Sequence, residues 1–181
     1  MTQMTITEAL AELKMLQKRI AKKESGLEPY LLRQDKVKDP LSAEGGSAAW
    51  VAAQRQGLSD LHERIVKIRG SINRANSDTM LALGGKERSI ADWIVWRRDV
   101  APLVARLHSA LNGAVRQARD FAKSKNVRLL TDGSEAGPDD IVVSFRETDL
   151  QAEIEAHEEL MGTLDGKLSL LNATTLVTIP D

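Results

Sequence analysis

Residues 47–76 read SAAWVAAQRQGLSDLHERIVKIRGSINRAN, and this stretch decides the fold because its apolar residues recur every seven positions. One heptad position holds Val51, Leu58, Ile65 and Ile72, and a second holds Leu61, Ile68 and Ala75. Spacings of three and four place these side chains on one stripe of a helix. Such a stripe is stable only when other helices cover it.

Three further segments carry the same spacing and predict three more long helices. The first helix begins at the capping-box sequence Thr5 to Glu8 and ends near Gly26. The third begins at Ser89, and Pro102 inside it predicts a kink near Arg98. Its stripe consists of Ile90, Trp93, Val100, Val104, Leu107, Leu111, Ala114, Ala118 and Phe121. The fourth spans about 148–172, with a stripe of Leu150, Ile154, Met161, Leu164, Leu168 and Leu171.

The apolar period changes between the third and fourth helices. Residues 127–130 and 141–145 are short β-prone runs separated by TDGSEAGPDD, which predicts a β-hairpin arm at about 126–146. An extended tail at 173–181 offers Thr174 to Ile179 as a third strand for this arm. We therefore predict a mainly α single domain, with four long helices in an antiparallel bundle or helical hairpins and a β-hairpin arm between helices three and four.

Composition excludes several classes of protein. The 181 residues carry a net charge of −1, which gives no overall attraction to nucleic acid. The absence of cysteine excludes disulfides, thiolate zinc sites and cysteine nucleophiles. No window approaches the roughly 18 apolar residues of a membrane span. We expect a soluble protein of the cytoplasm or of a virion, with no membrane partner.

No complete catalytic or metal-binding motif stands out. None of His62, His108 and His157 follows a glutamate by three residues, as the ligands of helical di-iron sites do. Gly162 to Leu168 lacks the length and the final hydroxyl of a phosphate-binding loop. We expect no enzyme activity, no cofactor and no metal.

Several polar or aromatic residues are candidates for structural or interface roles. Arg97 falls on the apolar stripe of the third helix, where it needs an acidic partner from a neighbouring helix or from another molecule. Trp96 lies off that stripe and is a candidate partner contact. Asn73 and Asn76 are three apart at the end of the second helix, where asparagine caps backbone groups or contacts a partner. The remaining candidates are Arg98, Asp99 and Asn172.

Charge is segregated along the chain. Residues 132–165 hold eleven acidic side chains against one arginine, and residues 86–128 hold ten basic side chains against four acids. These segments pair either within one subunit or head to tail between subunits. A third interpretation is nucleic-acid binding through the basic stretch of Arg116, Arg119, Lys123, Lys125 and Arg128.

The ordered blocks ITEALAELKMLQKRI, IRGSINRANSDTM, SIADWIVWRRDVAPL, DDIVVSFRETDLQAEIE and LSLLNATTL resemble an uncharacterised bacterial and phage family, some members of which are labelled "septicolysin". The resemblance covers nearly the whole chain. It rests on Ile72-Asn73 with Asn76, Arg98-Asp99, Asp149-Leu150-Gln151, and Asn172 with Thr174-Thr175-Leu176. The sequence departs from the family at Ala75, where threonine is expected, and at Ala173, where tryptophan is expected. The resemblance implies helices with a small β element and brings no established activity.

Together these features favour a non-enzymatic structural or assembly protein. We expect it to self-associate or to bind other structural proteins through its helical faces and its β arm or tail, as a phage or prophage virion component. The alternative is a soluble regulatory or binding module of a bacterial cell, with nucleic acid as the less favoured ligand.

Overall fold

The computed structural model describes residues 1–180, of which the large majority are helical, and confirms a mainly α fold with four long helices. In chain order the elements are β1 (Thr2–Thr5), α1 (Ile6–Leu31), a 3₁₀ turn (Ser42–Glu44), α2 (Ser47–Asp78), β2 (Met80–Leu83), β3 (Lys86–Ser89), α3 (Ile90–Val95), a π turn (Trp96–Val100), α4 (Ala101–Lys125), β4 (Leu129–Leu130), β5 (Ile141–Val142), α5 (Glu147–Thr174) and β6 (Leu176–Ile179).

The chain divides into two compact units where the sequence predicted one domain. The first unit contains Met1–Asp78 and the described residues from Ser169 onward, and the second contains Thr79–Leu168. Helix α5 runs through the boundary at residue 168, so no break in the heptad pattern marks it.

The first unit is built on the antiparallel pair α1 and α2. The predicted capping box is present: the Thr5 hydroxyl accepts the backbone N–H of Glu8, and the Glu8 carboxylate accepts the N–H of Thr5 at 2.7 Å. Helix α1 continues past the predicted end at Gly26 to Leu31. Arg64 of α2 pairs with Glu12 of α1 at 2.9 Å, beside a core of Ile6, Ala9, Leu13, Leu16, Ile68, Ile72, Val177 and Ile179.

The C-terminal tail completes this core. Strand β6 pairs antiparallel with β1, so that Thr2 faces Ile179 and Thr5 faces Leu176. Val177 and Ile179 alternate with exposed neighbours and point into the core, as a strand with one covered face requires. The expectation that the tail extends the arm at 126–146 was therefore wrong, because its strand partner is the N-terminal strand of the same chain.

The second unit contains the one β-hairpin among the described residues, between α2 and α3, where the sequence predicted no strand. Strands β2 and β3 pair antiparallel around Gly84-Gly85, whose φ angles are +56° and +72°. Positive φ at both central residues is the requirement of a two-residue type I′ hairpin loop, which glycine meets without strain. Trp93 is buried and donates its Nε1–H to the carbonyl of Leu81 in β2 at 2.9 Å.

The predicted arm at 126–146 is not a hairpin. Strands β4 and β5 fall within the predicted runs, but they pair in parallel, with Leu129 facing Ile141 and Leu130 facing Val142. The ten residues between the two runs are long enough to return the chain to the end of the sheet where β4 begins, as a parallel pair requires. A tight antiparallel connection would need only two to five residues.

Helices α4 and α5 form an antiparallel pair in the second unit, and polar side-chain contacts join the stretch from the π turn through α4 to α5 at three levels. Arg97 contacts Asp165, His108 lies 3.9 Å from Glu153, and Arg119 contacts Glu147.

Candidate interaction surface

A π turn joins α3 to α4 at the place where the sequence predicted a kink. The N–H of Ala101 donates to the carbonyl of Trp96, five residues earlier, instead of to the residue four earlier. Pro102, the next residue, has no N–H to donate to the carbonyl of Arg98. The regular series of helical hydrogen bonds is therefore interrupted here in any local geometry. A π turn adds one residue to a helical turn without ending the helix.

The extra residue rotates α4 relative to the heptad phase set by Trp93. The fully buried residues of α4 are Ala101, His108, Val115 and Ala122. They follow Trp93 by 8, 15, 22 and 29 residues, one more than multiples of seven. The predicted column of Val100, Leu107, Ala114 and Phe121 is exposed. A shift of one position turns a helix face by about 100°, so the prediction that this column is buried was wrong.

Helix α4 consequently carries two heptad rows. The inner seam, which is buried or half-buried, consists of Ala101, Val104, His108, Leu111, Val115, Ala118 and Ala122. The outer seam, which is exposed, consists of Val100, Leu103, Leu107, Ala110, Ala114, Gln117 and Phe121.

The outer seam is the candidate functional surface of the molecule. Its spacing is three, four, three, four, three and four, and six of its seven residues are apolar. Leu103, Leu107 and Phe121 leave 52, 58 and 55% of their surface exposed. A continuous apolar row with the spacing of a coiled-coil seam is the surface that one helix presents to another.

A groove of about 430 Å³ lies beside the inner seam between α4 and α5. His108 and His157 meet edge to face across it, with ring centroids 5.7 Å apart, and Trp96 stacks against His157 at 5.9 Å. Asn112 and Arg116 line the same groove. His108 lies outside the apolar stripe predicted from the sequence, although it holds a buried heptad position.

The structure accounts for the arginine candidates within the chain. Arg97 does not lie on a buried stripe, because the π turn moves it outward. Its guanidinium contacts the Asp165 carboxylate at 2.6 Å with both side chains about half exposed. This pair bears out the expected acidic partner from a neighbouring helix. The Arg98 guanidinium donates two hydrogen bonds of 2.8 Å to the carboxylate of its neighbour Asp99, which lower the pKa of the Asp99 carboxyl.

Trp96, the candidate partner contact, is half-buried between Trp93 and His157, so only part of its ring is open to a partner.

The three asparagines lie in the first unit. Asn73 is exposed near the end of α2, where its backbone carbonyl accepts a hydrogen bond from the Ser77 hydroxyl. Asn76 is half-buried, and its side-chain oxygen has no hydrogen-bond partner among the described residues. Asn172 is half-buried in the last turns of α5. None of these contacts brings the asparagines together with the arginine candidates of the second unit.

The segregated charges pair partly within the second unit. Arg119 contacts Glu147 at 2.9 Å, and Arg128 lies 3.8 Å from Asp140. These contacts occupy two of the five basic side chains considered for nucleic-acid binding. The intramolecular interpretation of the charge pattern is therefore confirmed for the pairs Arg97–Asp165, Arg119–Glu147 and Arg128–Asp140.

Within residues 1–180, histidine, aspartate and glutamate side chains nowhere gather in a group of three that could hold a metal ion. Over the same residues, no helix combines the length and the apolar character needed to cross a membrane.

Comparison with known proteins supports the fold. A crystal structure described as a functionally unknown conserved protein from Corynebacterium diphtheriae matches 98% of this chain and 100% of its own, with 21% sequence identity and a TM-score of 0.53. No protein-family model and no curated protein matches the chain. The resemblance to the septicolysin-labelled family stays a prediction.

Proposed function

We propose that this chain is a non-enzymatic assembly protein that self-associates through the outer seam of α4. The observation that carries the proposal is the exposure of Leu103, Leu107 and Phe121 in an unbroken heptad row. Water-exposed leucine and phenylalanine at regular helical spacing lower their free energy by packing against another helix.

The surroundings of the outer seam favour a helix as its occupant. The seam lies along α4 for most of its 25 residues and is straight, whereas a small-molecule site is a concave pocket. From Leu103 to Phe121 the seam is about 27 Å long at 1.5 Å per residue, the length of an ordinary helix–helix contact.

The C-terminal tail, one of the two β elements expected to mediate association, is already used within the chain. Strand β6 is already paired with β1, and Val177 and Ile179 are buried in the core of the first unit. Self-association is therefore assigned to the helical face alone.

Sedimentation velocity of the purified chain over a range up to about 100 μM tests the proposal. The wild type is expected to form a concentration-dependent oligomer. Leu107→Arg places a charge in the middle of the seam and should raise the dissociation constant by at least about tenfold. Leu170→Arg is the matched control, because Leu170 is a leucine of α5 with 57% of its surface exposed. A wild type that stays monomeric throughout contradicts the proposal, as does equal weakening by both variants.

The setting that we propose for this assembly is a phage or prophage particle. The resemblance of the chain's sequence blocks to a bacterial and phage family supports this setting. Mass spectrometry of particles induced and purified from a strain that encodes the chain tests the setting. Presence in stoichiometric amounts supports it, and absence from every particle contradicts it without affecting the proposal of self-association.

A further inference from the structure

The proposed self-association has a polarity that the flanks of the outer seam reveal. In heptad notation, position a holds Val100, Leu107, Ala114 and Phe121, and position d holds Leu103, Ala110 and Gln117. Within α4, position g holds Arg106, Gly113 and Asp120. Asp99, the g residue of the preceding π turn, is already paired with Arg98. Residues at g border such a seam and set the choice of partner and its direction through interhelical charge pairs.

The charges at position g are symmetric about Gly113. Arg106 precedes Gly113 by seven residues and Asp120 follows it by seven. Both charged side chains are exposed, and neither has an ion pair among the described residues 1–180. Opposite charges at equal distances from one point are complementary to themselves after a two-fold rotation.

We infer that a second copy of this chain docks on the outer seam in the antiparallel direction, across a two-fold axis near the middle of α4. The inference rests on the proposed function and adds the orientation and the register. Leu103 then packs against the partner's Phe121, and Ala110 packs against the partner's Ala114. In this register Arg106 faces the partner's Asp120, and the symmetry makes the same ion pair twice.

The residues near the axis suit close approach. Ala110 and Ala114 are the smallest apolar residues of the seam, and they meet at its centre. A β-carbon added at Gly113 would have no atom of the chain within 4 Å, so this flank is open. The larger side chains of Leu103 and Phe121 lie toward the two ends, where the helices diverge slightly as paired helices do.

A parallel pair lacks these matches. It would place Arg106 opposite the partner's Leu111, which is half-buried on the inner seam. Arg106 would then gain no acidic partner, and charge reversal at Arg106 would leave parallel association nearly unchanged.

Charge-reversal variants test the register. Arg106→Glu and Asp120→Arg should each raise the dissociation constant of the homodimer by about tenfold, because each creates two like-charge contacts. An equimolar mixture of the two variants should form a heterodimer of wild-type affinity, because every contact becomes attractive again. Arg55→Glu, on an exposed position of α2, is the matched control and should have no effect.

A distance measurement tests the direction independently of affinity. The chain has no cysteine, so Lys123→Cys carries a single spin label. Because Leu103 packs against the partner's Phe121, the two-fold axis passes the helix at residue 112, midway between them. Residue 123 lies eleven residues from this axis. In an antiparallel pair the two labels are therefore about 33 Å apart along the helix direction, at 1.5 Å per residue. A parallel pair in register has no separation of the labels along the helix axis, so only the width of the pair holds them apart and the distance is clearly shorter.

The outcomes separate the two proposals. A wild type that associates, with a heterodimer in the mixture and a label separation of at least about 33 Å, supports the register. A wild type that associates through Leu107 but ignores Arg106→Glu, or gives the short label distance, overturns the register and leaves the self-association standing. A monomeric wild type overturns both.

Discussion

The two antiparallel helix pairs of this chain start from the same heptad pattern and use it differently. In the first unit, α1 and α2 bury their stripes on each other and on β6, around Ile6, Leu13, Ile68 and Ile72. In the second unit, α4 buries only its inner seam, and a polar groove lies beside it. The difference lies in the width of the apolar face, because α4 carries two adjacent rows and α5 covers one.

The comparison shows that heptad spacing alone does not reveal whether a row is buried within the chain. In paired helices without an insertion, the same heptad positions stay buried from one end to the other, as in α2. The one-residue insertion in the π turn before α4 sends half of the apolar residues of that helix to the surface. A row left exposed in this way is free to act in association, whereas a row buried in a core contributes to stability.

Of the changes that test this contrast, removal of the C-terminal strand β6 is expected to have the largest effect on stability. A chain ending at Thr175 loses β6 and with it the buried side chains of Val177 and Ile179. We expect the first unit to lose about 5 kcal/mol or more of stability, comparable to the whole stability of a small domain. Circular dichroism and limited proteolysis should show loss of α1 and α2. An intact helical signal with normal melting would show that β6 is only a cover.

The second prediction compares one apolar residue from each helix pair. Ile68→Ala empties a fully buried position of the first core and should lower the free energy of unfolding by about 3 kcal/mol. Leu103→Ala on the outer seam should change it by less than about 0.5 kcal/mol when measured on dilute monomer. Urea unfolding of both variants provides the measurement. Equal costs would mean that the outer seam is buried in the solution structure of the monomer.

The third and smallest effect concerns how the helices begin. Asp39 accepts hydrogen bonds from the Ser47 hydroxyl and N–H at the start of α2 and from the Leu41 N–H, which lower the pKa of the Asp39 carboxyl. Helix α4, which follows the π turn, has no side-chain cap at its start.

A lowered folded-state pKa means that the Asp39 contribution is complete above the unfolded-state value of about 3.9. It is lost as the pH falls through the lower folded-state value. We expect Asp39→Asn to destabilise the chain at pH 7 and the difference from wild type to shrink toward pH 3. Asp35→Asn, an exposed position in the same loop, is the control. A difference that does not change with pH would contradict the role of the carboxylate.

Much of the fold could be predicted because its signals are local. The Thr5–Glu8 capping box and the cap of α3 at Ser89 each depend on contacts between residues three apart. The hairpin at 80–89 was missed although its signal was present, since Gly84-Gly85 between two short runs is a hairpin loop sequence.

The candidate surface could be predicted only in part. All the apolar residues of the outer seam except Leu103 and Ala110 belong to the predicted stripe of the third helix. Their exposure could not be predicted, because Pro102 signals an interruption without saying whether the helix kinks, ends or gains one residue.

The amino-acid sequence by itself determined four long helices with apolar heptad rows, their caps, and the β-prone runs at 127–130, 141–145 and 174–179, because these features depend on side-chain spacing and short-range hydrogen bonds. Only the tertiary structure decided that β6 pairs with β1, that β4 and β5 run parallel, and that the outer seam of α4 faces solvent. These outcomes depend on which distant segments meet and on the phase of a helix after its π turn. Both depend on how all the apolar surfaces of the chain compete for burial. The sequence of one segment does not contain that information.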